Sequence, residues 1–230
     1  MNQKAKFRLS GAAFALFLLL ILLVKTVDVA AIGPAGTRIG LSHINQAFHE
    51  LTGVKMGWYN LTQGFGVLAL VVAGLFGLLG LWEWIGRKKL LAVDRQILAL
   101  GVLYGIVIGL YVFFEIVVVN DRPIIMPGDT APEASFPSSH TMLVCVVLGS
   151  GMMAVRTYIK NPRQLLVLQV LGGAIIVLTV IGRLICGVHW FTDILGGMLI
   201  SVALLSCFSA VLDKLQRASR RGRPRRPAEK

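Results

Sequence analysis

The sequence predicts an all-α polytopic membrane protein, a bundle of six transmembrane helices, and three observations carry that prediction. Hydrophobic residues make up 56% of the 230-residue chain, and mean hydropathy is +0.75, far from the balance of a water-soluble domain. The apolar residues gather in six stretches, each near the ~20 residues needed to cross a bilayer core. Short basic clusters occupy alternate connections between them.

Six spans use roughly 120 positions and leave about as many for loops and tails, so one bundle fits and a second domain does not. The expected organisation is a membrane domain over 1–212 followed by a basic tail over 213–230. The first span is expected over 9–31. Lys4, Lys6 and Arg8 precede it and Val29-Ala30-Ala31 follows, a pattern shared with cleavable secretory signals; the expectation is a retained helix. Ile39, Leu41, Ile44, Phe48 and Leu51 then fall near helical spacing, which predicts a short amphipathic helix along the interface. His43 and His49 belong to it and are read as solvated residues rather than ligands.

The remaining spans are expected over 62–85, 96–119, 138–155, 165–185 and 190–212, with Leu/Val/Ile/Gly texture and no period-two alternation. The N-terminus, the 86–95 loop with Arg87, Lys88, Lys89 and Arg95, the 156–164 loop with Arg156, Lys160 and Arg163, and the tail are all basic. Loop charge therefore predicts both termini in the cytoplasm, in a plasma or inner membrane, with segments 33–61, 120–137 and 186–190 on the outer face.

The net charge of +12 does not indicate a nucleic-acid binder, because much of it lies beside apolar runs or in the tail from Lys214 through Arg220, Arg221, Arg223, Arg225 and Arg226 to Lys230. That tail is read as a topology anchor, with anionic headgroups as the alternative ligand. Cys145, Cys186 and Cys207 show neither metal-ligand spacing nor a disulfide framework.

Three polar clusters stand at predicted helix ends on the outer side: Glu115 with Asp121-Arg122-Pro123, then Pro137-Ser138-Ser139-His140, then Arg183 with His189 and Asp193. So many polar groups at one membrane depth are costly unless they meet one another or a ligand, and their types suit a phosphate. The spacing of four between His189 and Asp193 predicts that both share a helical face, with the carboxylate fixing the imidazole tautomer so that the free nitrogen attacks phosphorus. Taken alone, that pair is equally a buried polar contact.

Arg183 supplies a fork for phosphate oxygens, and Gly182 and Gly187 allow the chain to turn near it. Pro137 starts a helix whose free N–H groups attract an anion, and Ser138 and Ser139 add hydroxyl donors. His140 is placed to protonate a leaving group; this role needs it charged while His189 stays neutral, and so predicts a bell-shaped pH profile. Arg122 should project at the surface beside Pro123, which is expected to end the third span. A zinc site built from the two histidines with Asp121 and Asp193 is opposed by the two arginines crowding it.

Together these residues resemble the type 2 phosphatidic acid phosphatase family, membrane relatives of the vanadium haloperoxidases. Its pattern is Lys-x6-Arg-Pro, Pro-Ser-Gly-His and Ser-Arg-x5-His-x3-Asp. Arg122-Pro123 aligns with the first motif, Pro137 to His140 with the second, and Arg183, His189 and Asp193 with the third. The resemblance implies a six-helix bundle in which His189 becomes phosphorylated, His140 acts as general acid, and Arg122, Arg183 and Ser138 with Ser139 hold the phosphate. It implies no metal and no cofactor; expected partners are a membrane lipid phosphate and the bilayer, with no nucleic acid and no obligate protein.

Glu115 stands where the family has lysine, Ser139 where it has glycine and Gly182 where it has serine. Glu115 is expected two helical turns from Arg122 on one face, pairing with an arginine or contacting a polar headgroup. Candidate substrates are undecaprenyl diphosphate, phosphatidic acid and phosphatidylglycerol phosphate. The alternatives are a lipid phosphotransferase using the same intermediate and a non-catalytic lipid-binding or transport protein.

Overall fold

The computed structural model describes residues 1–221, with side chains described through Arg217. Six helices are long and apolar enough to cross a membrane: α1 (Gln3–Thr26), α3 (Met56–Arg87), α4 (Arg95–Ile116), α5 (Ser139–Tyr158), α6 (Pro162–Ile185) and α7 (Phe191–Arg221). The short α2 (Ser42–Thr52) falls where the amphipathic helix is expected. The expected tail side chains from Arg220 onward lie outside the described residues.

Helix starts follow local capping. Asn2, Asp94, Ser138 and Asn161 each accept a backbone N–H from the first turn of α1, α4, α5 and α6. Pro162 occupies the first position of α6, where no amide is needed. α5 is the most enclosed span, buried over 61% of its apolar window, whereas α3 and α6 turn most of their surface outward. The central helix therefore carries the second motif at one end.

Several boundaries differ from expectation: α3 starts at Met56 rather than 62, α7 runs on to Arg221 rather than ending at 212, and the shifts in α1 and α4 bear on the site. α1 covers Gln3–Thr26 rather than 9–31, so Lys4, Lys6 and Arg8 lie within its first turns. It ends early because Asp28, at φ 50°, turns the chain and accepts from Ser42 Oγ and the His43 N–H, both at 2.9 Å. Phe17, Leu20 and Val24 of α1 are buried, Lys6 pairs with Asp213 of α7 at 2.8 Å, and Ser10 Oγ donates to the Ala203 carbonyl.

α4 stops at Ile116, well before Pro123. Three consecutive valines, Val117 to Val119, weaken helix continuation, and the residues beyond are captured elsewhere. Ser135 N–H donates to the Asn120 carbonyl and Arg122 N–H to the Glu133 carbonyl, both at 2.9 Å. Residues 120–122 and 133–135 thus form a short antiparallel pairing across one mouth of the bundle. Beneath it Phe17, Phe114 and Phe136 pack ring to ring at centroid distances of 5.8 to 6.1 Å, giving the mouth a rigid apolar floor.

Candidate active site

Arg183 occupies the last turn of α6 and is fully buried. One Nη2 hydrogen bond reaches Gln63 Oε1 at 3.0 Å, and the guanidinium lies 5.0 Å from the Tyr59 ring centre. Its Nε and Nη1 have no partner. Buried donors are normally satisfied, so an open fork of this kind is a place for an anion. Gln63 and Tyr59 were not singled out in the sequence, although a glutamine at the head of an apolar run is a signal for a buried polar role.

Behind Arg183, a Cβ on Gly182 would come within 2.6 Å of Thr62 Cγ2 and 3.1 Å of Trp58. A serine at this position, as in the family pattern, would require the Thr62 and Trp58 side chains of α3 to shift. Gly187 adopts φ 72° where the chain turns against the Gly53 carbonyl, a conformation closed to larger residues.

That turn delivers His189. It lies in the loop before α7 rather than on a helix, which corrects the expectation of a shared helical face with Asp193. α7 begins at Phe191 because Asp193 reaches back over its first turn to accept the Trp190 N–H at 2.9 Å. The second Asp193 oxygen accepts from Asn120 Nδ2 at 3.4 Å. His189 Nδ1 stands 3.6 Å from Asp193 Oδ2, beyond hydrogen-bond length. Both imidazole nitrogens are buried without partners. Burial is the largest influence on His189 and, with the nearby Arg122 and Arg183 charges, lowers its pKa from the ordinary 6.5; the hydrogen-bonding tendency and charge of Asp193 oppose that.

The second motif is tied to the third by backbone: Ser138 N–H donates to the Asp193 carbonyl at 3.0 Å. Ser138 Oγ caps α5, accepting from Thr141 Oγ1 at 3.0 Å and more weakly from Thr141 N–H. Ser139 and His140 open α5, and their first-turn amides add to the helix's positive end. His140 packs against the backbone of α3 at Gly66, where a Cβ would come within 2.8 Å of its ring. Arg122, Arg183 and His189 are all within electrostatic reach of His140.

Arg122 completes the group from the loop. Its Nε lies 3.0 Å from Glu133 Oε2, while Nη1 is buried and unpartnered. Glu115 has no ion-pair partner among the described residues, so its expected pairing with an arginine is not found; α4 ends too early to align it with Arg122, and Glu133 holds that guanidinium instead. Glu115, Arg122, Ser139 and His189 nevertheless line one cavity of about 20 Å³, which has room for a water molecule and little more. No group of three or more His, Cys, Asp or Glu side chains gathers in metal-binding geometry among the described residues.

Asn45, Asn120 and Thr192 form a supporting network that sequence reading passed over. Asn45 is fully buried, accepts the Thr192 N–H at 3.1 Å and donates to Thr192 Oγ1 at 3.0 Å, anchoring α2 to the start of α7. α2 is therefore held by a polar lock, while its Ile44 and Leu51 remain exposed. His43 pairs with Asp28 at 2.7 Å and is open to solvent; His49 is half-buried against Trp190, with ring centres 5.5 Å apart. Neither lines the cavity.

A family model for the PAP2 superfamily matches residues 96–217. In fold the chain is similar to the crystal structure of a transmembrane PAP2-type phosphatidylglycerolphosphate phosphatase from Bacillus subtilis, with a TM-score of 0.63 and 21% identity over 95% of this chain and 99% of that one. No curated protein matches the chain.

Proposed function

The chain belongs to the PAP2 superfamily, and on that premise we propose that it is a metal-independent phosphatase of membrane lipid phosphates or diphosphates, acting through His189 on the outer face of the membrane. The observation that carries this reading is the set of buried nitrogens without partners on residues within electrostatic reach of one another: Nε and Nη1 of Arg183 and Nη1 of Arg122 as donors, beside the His189 ring, one nitrogen of which is left to attack. A tetrahedral anion would satisfy them together, and a neutral ligand would not.

His189 Nδ1 faces Asp193, so Nε2 is the attacking atom. Its lone pair forms the P–N bond as the bond from phosphorus to the leaving oxygen breaks, and His140 gives that oxygen its proton. Water then attacks phosphorus, the P–N bond breaks, and His140 takes the water's proton. Arg122, Arg183, Ser138, Ser139 and the α5 amides stabilise the spreading negative charge, the main requirement of phosphoryl transfer. No metal or cofactor enters either step.

The catalytic unit in this reading lies within residues 1–212, and the expected tail boundary at 213 falls inside α7, which continues to Arg221. The candidate substrates remain undecaprenyl diphosphate, phosphatidic acid and phosphatidylglycerol phosphate. Phosphate release from these three by purified protein, with chelator present throughout, tests the reading; vanadate is expected to inhibit. Lipid acceptors added to the same assay separate hydrolysis from phosphotransfer. No release by folded protein would favour the binding or transport alternative.

Two further outcomes are expected. Attack requires neutral His189, so kcat/KM falls as pH drops through the His189 pKa, and its downward shift puts that acid limb below 6.5. An acid limb above 6.5 in a pH–rate profile would count against His189 as nucleophile. Glu115→Gln is expected to change relative rates among the three lipids several-fold while retaining activity, because an unpaired carboxylate borders the reacting phosphate. Unchanged preference would remove Glu115 from substrate selection.

A further inference from the structure

At the end of the bundle opposite the catalytic cluster, a cleft of about 1160 Å³ opens between the start of α1, the 91–96 segment, the end of α5 and the last turns of α7. Its cations are Lys6, Arg95, Arg156 and Lys160, and its anions are Asp94 and Asp213. Both anions are engaged. Asp213 neutralises Lys6 at 2.8 Å, and Asp94 caps α4 while accepting from the Tyr158 hydroxyl at 2.9 Å. Arg156 and Lys160 hydrogen-bond only neutral oxygens, on Gln169 and Thr157. Among the described residues Arg95, Arg156 and Lys160 have no carboxylate within ion-pair distance, leaving three uncompensated positive charges in one concave site.

The cleft neighbours a second cavity of opposite character. An apolar groove of about 490 Å³ runs between α3 and α4, floored by Gly77, Gly80 and Gly101, and Val93 lines both spaces. Both spaces lie near the end of α3, where the side chains suit a membrane–water interface. Trp82 and Trp84 near the end of α3 are exposed, as an aromatic belt requires, and Leu91 beside the cations is 89% exposed.

We propose that this composite site binds one phospholipid with an anionic headgroup, its phosphate on Arg95, Arg156 and Lys160 and an acyl chain along the α3–α4 groove. A soluble phosphate compound would use the cleft and leave the groove unexplained; a zwitterionic lipid would use the groove and leave the charges unexplained. The site lies in the leaflet opposite the proposed catalytic centre, and α5 and α7 each contribute to both.

The test uses the purified full chain in detergent with vanadate present, following the thermal midpoint against phosphatidylglycerol, phosphatidylcholine with the same chains, and glycerol 3-phosphate. Phosphatidylglycerol is expected to act at concentrations at least about tenfold below phosphatidylcholine, each basic contact near an anionic lipid being worth roughly fivefold. Combined Arg95→Gln, Arg156→Gln and Lys160→Gln should bring the two lipids level. A Cβ at Gly101 meets nothing within 4 Å, so Gly101→Leu builds into the groove; it should weaken both lipids about tenfold and leave their ratio intact. Equal action of the two lipids on the wild type, retention of the preference by the triple variant, no effect of Gly101→Leu, or an equal response to glycerol 3-phosphate would each overturn the assignment. None of these readouts depends on catalysis.

Discussion

His189→Ala is expected to lower phosphate release by a factor on the order of 10⁴ or more, the loss that accompanies removal of a nucleophile rather than of a binding contact. The side chain is 2% exposed and makes no hydrogen bond through either nitrogen. Its removal therefore costs the fold little beyond a small cavity, and the variant should purify and unfold much like the wild type. With substrate labelled in the phosphate, wild-type protein quenched in base should retain label that is released by acid, the behaviour of a P–N bond, and the variant should retain none. Equal hydrolysis by both proteins would remove His189 from the mechanism; loss of hydrolysis with labelling intact would place His189 in a later step.

Arg183→Met is expected to move activity and stability in opposite directions. The guanidinium is fully buried with two donors open, so the empty protein bears a desolvation cost of several kcal/mol that one bond to Gln63 and the Tyr59 ring offset only in part. Methionine fills similar volume without charge. Gln63 loses a partner worth about 1 kcal/mol, less than the charge costs. The thermal midpoint of ligand-free protein should therefore rise by a few degrees, while kcat/KM falls by roughly 10² to 10³. A midpoint that falls together with activity would make Arg183 a structural residue.

Span number and motif content were legible because a bilayer demands long apolar runs and because polar residues at their ends are costly without a purpose. Element ends were less so. The end of α1 depends on Asp28 meeting Ser42 and His43, and the end of α4 on Asn120 being drawn toward Asp193; both are long-range contacts that no local pattern encodes. His189 and Asp193 have helical spacing, but the bond from Trp190 N–H to Asp193 starts α7 after the histidine. Gln63, Asn45 and Glu133 went unremarked because each matters only through a partner far away in the chain. Gly182 looked like a lost hydroxyl, yet its meaning is steric, set by Thr62 and Trp58 across the helix interface.

The hydrogen bond from Ser138 N–H to the Asp193 carbonyl has a consequence for biogenesis. Spans enter the membrane in chain order, so the start of α5, with Ser138, Ser139 and His140, is inserted before the residue that satisfies it has been synthesised. Until α7 arrives, the nascent chain carries an unmet amide at Ser138, although His140 already has its α3 neighbour Gly66. A ribosome stalled between these segments would leave an insertion intermediate of this kind, recognisable to membrane quality control. Completion of the last helix thus finishes the pocket and hides the signal of incompleteness in one event.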